Sequence, residues 1–417
     1  MRREVDLLVY NIGELVSFKD TVPGRITHKD AGVIRDAGVA VDRGRIVYVG
    51  GSEDAVRSFK GREEVDAAGK LVTPGLIDTH THMVFAGSRE DEFEKKLQGY
   101  SYEEILRSGG GIYRTVNATK QTSVEELVAR SEAVAWSMIR NGSTVIEVKG
   151  GYGLYIEEEL KIMEAAKKLA GRIPARIVAT MQAHVVPVEY KDDRSRYIEY
   201  YVGMLEEAYR KRLAVYSDVF CDEGAFTPGE TRRILGESLR LGFRLRIHAD
   251  QLSYRGCSML AREYPLDALD HLDHMPPENA AILAESGSAA GLTPTSQLAM
   301  FSKASPPVEA LRRHKVPIAL GTDYNPNNMT PNMQLVVDLS TYMYRFTPLE
   351  ALAAATVNAA YSLRIHRSHG RIKPGYRADL LVWNIPNHRW IGYLWGVNKV
   401  ERVYIGGTLV WVNPEAA

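Results

Sequence analysis

The sequence predicts an α/β protein in which a central parallel βα barrel, residues 73–365, carries a smaller β-sandwich-like domain built from both chain ends, 1–72 and 366–417. Three observations carry that reading. The 417 residues are 45% hydrophobic and 25% charged, enough apolar content for a large core. In the middle of the chain, apolar β-like runs alternate with longer amphipathic stretches, the pattern of a parallel sheet with helical crossovers. At both ends that alternation gives way to short strand-like runs separated by turns.

Taken in order, "VDLLVYN", "AGVAVDRGRIVYVGG" and "VDAAGKLVTPG" are strand-like runs divided by Gly and Asp-Arg-Gly turns, which predicts antiparallel hairpins over 1–72. The central units follow. "STVIEVKGGYG" precedes "LYIEEELKIMEAAKKLA", "ARIVATMQAHVV" precedes "RSRYIEYYVGMLEEAYRKR", and "FRLRIHADQL" precedes the amphipathic stretch "SMLAREY". After 366, "RIKPGYRADLLVWN" and "VERVYIGGTLVWV" return to strands and turns. The two ends share one pattern and are expected to pair. No fixed 20- to 50-residue repeat and no low-complexity tract interrupts this scheme.

Lys plus Arg and Asp plus Glu balance at 52 each. A neutral chain offers no overall field for nucleic acid, acidic membranes or polyanions, so a small, locally recognised ligand is expected. No signal-like apolar segment and no 18-residue apolar span is present, which places the expected location in the cytoplasm. Cys221 and Cys257 lie outside any Cys-x-x-Cys spacing, so two reduced thiols are expected rather than a disulfide or a thiolate zinc site.

The chemistry starts at "TPGLIDTHTHMVFAGSRE". His80 and His82 follow a strand-like run, and residues two apart on a strand point to one side, so two imidazoles can share a metal. His-x-His alone is weak evidence. It gains weight because later strand-like runs also end in polar groups: His184 after "ARIVATMQA", His248 after "FRLRI", His271 after "ALD", Asp323 after "VPIALGT". In a parallel βα barrel such strand ends meet on one face, where active sites are built. Histidine nitrogens with one carboxylate and no cysteine suit zinc, iron(II) or manganese. A cation so held lowers the pKa of a bound water to about 7, so hydrolysis is the expected chemistry.

These residues resemble the amidohydrolase superfamily of metal-dependent hydrolases, through "GLIDTHTH", the later His, His and Asp, and "HGRIKPGYRADLLVWN". More narrowly, "THMVFAGSREDEF", "GGGIYRTV", "EVKGGYGL", "AHVVPVEY", "DVFCDEGAF", "HADQLS" and "GTDYNPNN" resemble the imidazolonepropionases across nearly the whole chain. The resemblance implies a (β/α)8 TIM-like barrel. It also implies one divalent ion, Zn2+ or Fe2+ (or Fe3+), held by His80, His82, His248 and Asp323. The implied substrate is 4-imidazolone-5-propanoate, with Arg89 on its carboxylate, where a guanidinium binds bidentately. Tyr102 is a further candidate for that carboxylate. Tyr152, His184, Gln251, Asn325, Asn327 and Asn328 match positions around the substrate, and Asp323 with His271 would handle protons. A homodimer is implied too.

Two positions depart from the family pattern. Gln251 stands where some members carry a glutamate proposed as the base, and an amide takes no proton at working pH. Asn327 stands where glycine is expected. Lys149 could be sought as the bridging lysine of a two-metal centre, but its context matches the single-metal family. Arg89, beside Glu90 and Asp91, could be a solvated ion-pair partner, and Tyr152 or His184 could only pack. Competing functions are another cyclic amidohydrolase, a nucleobase deaminase, or a scaffold that has lost its chemistry. A substrate without a carboxylate arm would gain nothing from Arg89.

Overall fold

The computed structural model describes residues 2–24, 29–100, 104 and 110–415. The chain opens on a long strand, β1 (Arg3–Val16), followed by β2 (Val33–Asp42), β3 (Arg45–Gly51), β4 (Phe59–Asp66) and β5 (Leu71–Pro74). The ladder of β1 slips between Val9 and Ile12, where Asn11 adopts φ +53°, so Ile12 rejoins the apolar cluster of Leu7 and Val9. β1, β2 and β3 pair antiparallel as the turn pattern predicts. β4 and β5 instead lie parallel to β1, a correction to the all-hairpin expectation. The helix Ser52–Ser58 carries the chain across between β3 and β4, and parallel pairing requires such a crossover.

Eight parallel strands follow in chain order: β6 (Leu76–Asp78), β7 (Ser143–Lys149), β8 (Arg176–Ala183), β9 (Tyr216–Cys221), β10 (Arg244–Ala249), β11 (Leu266–His271), β12 (Ala289–Leu292) and β13 (Ile318–Leu320). Helices including Val124–Arg140, Ile156–Ala170, Arg194–Arg210 and Pro228–Leu241 make the crossovers. The last has its ends written in the sequence: Thr227 and Glu230 form a reciprocal capping box, and Gly242 ends it at φ +96°. "SMLAREY" does not form an α-helix; it makes a short 3-10 helix, Cys257–Arg262, because Leu266 already begins the next strand. The barrel is drawn shut between its first and last strands by side chains and loop backbone. Asp78 accepts hydrogen bonds from Thr322 N (2.9 Å) and Thr322 Oγ1 (2.7 Å), and Asp323 N donates to His80 O (2.8 Å).

The C-terminal strands β14 (Leu380–Trp383), β15 (Val400–Ile405) and β16 (Thr408–Val412) return to the first sheet, where β14 pairs antiparallel with β5. Trp383 Nε1 donates to Thr73 Oγ1 at 2.8 Å, fastening the two chain ends beside the barrel. Among the described residues no helix is long and apolar enough to cross a membrane. The expected free thiols are absent: Cys221 and Cys257 form a disulfide with Cα atoms 5.9 Å apart. Their separation of 36 residues gave no local signal, and only the fold sets the end of β9 against the 3-10 helix after β10.

Candidate active site

The strand ends deliver their polar residues to one place. His80 and His82 lie just past β6 with Nε2 atoms 3.3 Å apart, and Asp323 Oδ1 lies 3.5 Å and 3.6 Å from them. The His80 ring centre is 4.5 Å from that of His248 and 5.0 Å from that of His271. Ligand atoms of His80, His82 and Asp323 fall within 4.8 Å of one another, as do those of His80, His248 and His271. His80 therefore belongs to both groups, and His271, expected as a catalytic residue rather than a ligand, stands as close to His80 and His248 as a ligand would.

The cage fits a cation by its donor chemistry. His82 Nδ1 faces Gly150 O at 3.3 Å, His248 Nδ1 faces Asp218 Oδ1 at 3.0 Å, and His80 Nδ1 lies 3.1 Å from Asp270 Oδ2, off the ideal hydrogen-bond line. With Nδ1 of His82 and His248 so engaged, their Nε2 atoms can offer lone pairs to a cation, and the carboxylate of Asp270 beside His80 Nδ1 favours the same role there. Burial first, and neighbouring cationic groups second, push His80 and His82 well below the ordinary imidazole value, which keeps them unprotonated. Gln182 Nε2 lies 3.1 Å from His248 Nε2, where it would have to yield to an ion. Nitrogen and oxygen donors without sulfur suit zinc and iron(II) alike.

Beneath the cage lies a buried layer of charges of which the sequence singled out Lys149 alone. Lys149 Nζ contacts Asp218 Oδ2 (2.6 Å), Glu147 Oε1 (3.0 Å) and Asp270 Oδ2 (3.2 Å), and Arg246 reaches Asp270 (2.9 Å) and Glu147 (3.3 Å). All five side chains are fully buried. Burial alone would neutralise Lys149, but the three carboxylates outweigh it and raise its pKa. Its ammonium is thus committed to three carboxylates, which supports the single-metal reading over a bridging lysine. The signal was available: "IEVK", "SDVF", "RIH" and "ALDH" put charges inside otherwise apolar strands, where charges are rarely buried unpaired.

Two of the remaining expected residues lie against the cage. Tyr152 packs 5.9 Å from His82 and 5.5 Å from His184, while His184 stacks 5.9 Å from His82. The glycine loop that presents Tyr152 is shaped by Glu159, which accepts from Gly151 N (2.7 Å) and Gly153 N (2.9 Å). Gly151 sits at φ +103°, and a Cβ there would fall 2.5 Å from Gln182 Oε1. Arg89 is only 5% exposed and bonds Glu92 through Nε and Nη2, each at 2.8 Å, so it is no solvated partner of Glu90 or Asp91. The Arg89 guanidinium acts electrostatically on both Tyr152 and His184, so it lies within electrostatic reach of the two rings that pack against His82.

The asparagines divide. Asn325 Nδ2 donates to Asp323 Oδ1 at 2.9 Å, and Asn328 Nδ2 donates to Thr322 O at 2.8 Å, so both brace the Asp323 loop. Asn327 is exposed and accepts from Lys96 Nζ at 3.2 Å. Gln251 is half-buried on the loop after β10, its Nε2 3.6 Å from Met300 Sδ. Tyr102 lies outside the described residues. His271 differs from expectation in its titration: burial and then His248 push it down to about 3, so it is neutral at working pH. Its Nδ1 lies 3.0 Å from Thr293 Oγ1. Another unforeseen group is Asp273, a buried carboxyl that accepts from Gln297 Nε2 at 2.8 Å and is raised to about 8 by burial.

An eight-stranded parallel barrel with a histidine–aspartate cage at its carboxyl rim defines a metal-dependent hydrolase, and a model described as "Amidohydrolase family" matches residues 71–410. A solved adenosine deaminase from Xanthomonas campestris with bound zinc shares the fold, with TM-score 0.74 at 20% identity over 99% of this chain and 94% of its own. Closer relatives narrow the class. The imidazolonepropionase of Pyrobaculum arsenaticum is 44% identical over 90% of this chain and 92% of its own length. That of Geobacillus kaustophilus is 41% identical over 91% of each. The chain belongs to the imidazolonepropionase family of amidohydrolases.

Proposed function

We infer that the chain hydrolyses 4-imidazolone-5-propanoate, cleaving the cyclic amide C–N bond to give N-formimidoyl-L-glutamate in histidine degradation. The observation that carries this reading is buried Arg89, paired with Glu92 and within electrostatic reach of Tyr152 and His184, the rings packed against His82: a cation for the carboxylate arm beside the residues that would line the ring. A divalent ion held by His80, His82, His248 and Asp323 would supply Lewis acidity, acidifying water and polarising the ring carbonyl.

The chain's own residues do the rest. Arg89, fixed by Glu92, orients the propanoate, and Tyr152 with His184 lines the ring. Asp323, 3.5 Å from His80 through Oδ1, would take the proton of the attacking water and return it to the departing ring nitrogen. Gln251, an amide, takes no part in proton transfer and serves binding. His271, neutral and with Nδ1 3.0 Å from Thr293 Oγ1, would donate through Nε2 to the developing oxyanion when Thr293 donates to Nδ1. A homodimer, implied by the family resemblance, and a cytoplasmic location accompany this reading.

The test follows the ultraviolet absorbance of freshly generated 4-imidazolone-5-propanoate with the purified protein, a chelated sample and Arg89→Ala. Expected is fast loss that chelation abolishes and Arg89→Ala slows through KM by about 10- to 150-fold, the worth of a charged hydrogen bond. Metal-loaded protein that leaves the spontaneous decay unchanged would sink the substrate assignment, and nucleobases and other cyclic amides would be screened instead.

A further inference from the structure

We propose that the Cys221–Cys257 disulfide is a positioning clasp that locks the loop bearing Gln251 and, through it, the turn bearing His271 beside His80 and His248. Cys221 ends β9 and Cys257 begins the 3-10 helix after β10, and both are fully buried. The loop between β10 and Cys257 is gathered by two carboxylates. Asp222, next to Cys221, accepts from the backbone N–H groups of Gln251 (2.7 Å) and Leu252 (2.8 Å), and from Ser253 Oγ (3.0 Å). Asp250 accepts from the N–H groups of Cys257 and Ser258, each at 3.2 Å. The disulfide therefore joins the strand that carries one collecting carboxylate to the helix that the other one caps.

The same loop backs the neighbouring strand end. Ala249 O accepts from Leu272 N (3.1 Å), and Asp250 O accepts from His274 N (2.8 Å). Those bonds hold a turn in which His271 and Leu272 adopt φ +73° and +65°, and Asp250 itself adopts +51°. Side-chain-bearing residues persist in the left-handed region only where their surroundings over-determine them. The covalent link is the one element of that support that a change of redox state can remove. Reduction by a dithiol would break the S–S bond, deliver two electrons and two protons to the two sulfurs, and leave the reductant as its own disulfide.

The kinetic part of this inference rests on the substrate reading above; the structural part does not. The oxidised protein, a dithiol-reduced sample and the double variant Cys221→Ala/Cys257→Ala are compared well below their melting temperatures. Free thiols are counted after denaturation, and metal content, amide hydrogen exchange over 250–258 and kinetics are measured. Expected are no free thiols in the oxidised protein and faster exchange of the loop once the link is lost. KM should rise about tenfold, one hydrogen bond's worth, at unchanged metal content, and reoxidation of the reduced sample should restore it. A merely less stable protein would lose kcat with its unfolded fraction and keep its KM. Two free thiols at the outset, or loop exchange unchanged on loss of the link, would overturn the clasp; so would an unchanged KM in an active enzyme. A wild-type protein inactive on the substrate would strike the functional reading alone, and exchange would still decide the clasp.

Discussion

Replacing Lys149 by methionine tests whether the buried charges beneath the cage hold it in shape. Methionine keeps an unbranched chain of similar length and removes only the ammonium. That ammonium lies 2.6–3.2 Å from Asp218, Glu147 and Asp270, all without solvent contact, and Arg246 alone would remain to balance three carboxylates. Breaking a buried pair by removing one partner costs about 3–5 kcal/mol. A second effect reaches the metal, because Asp218 and Asp270 are the groups that face His248 Nδ1 and His80 Nδ1. Loss of such outer partners weakens metal binding about 10- to 100-fold. Denaturant titrations with and without zinc measure the first quantity, and competition with a chromogenic chelator measures the second. A variant within about 1 kcal/mol of the parent, the ordinary effect of an unremarkable substitution, with unchanged zinc affinity, refutes the argument.

Three further outcomes follow from the same geometry. His271→Asn should lower kcat by about 10²- to 10⁴-fold at unchanged metal content; loss of the metal instead would make His271 a ligand. Chelation should leave a protein less stable by about 4 kcal/mol than one with free metal at a thousandfold excess over Kd, and metal analysis should return one ion per chain, two being the result that reinstates a binuclear centre. Glu159, pushed up by burial from 4.5 to about 7, favours the folded state while protonated, so its contribution is intact below pH 4.5 and fades as pH rises through about 7. The difference is worth about 3 kcal/mol at most. Glu159→Gln should flatten denaturation midpoints across that window, and a slope equal to the parent's would mean Glu159 is not the titrating group.

The sequence by itself determined what local pattern can encode. Alternating apolar and amphipathic runs specify βα units, and polar residues at strand ends specify a rim, so the barrel and the meeting of His80, His82, His248, His271 and Asp323 were legible from spacing. Arg89 was legible only through its motif, since beside Glu90 and Asp91 it reads equally as surface charge; burial against Glu92 removes the solvated reading. The tertiary structure alone decided the rest, because those features depend on which strands become neighbours. β4 and β5 run parallel to β1 through a crossover that no hairpin signal marks. Lys149 meets Asp218 and Asp270 only when β7, β9 and β11 curve around one axis, and Cys221 finds Cys257 only across a strand end. The same closure buries His271, turning a residue that would titrate near neutrality in water into a neutral imidazole.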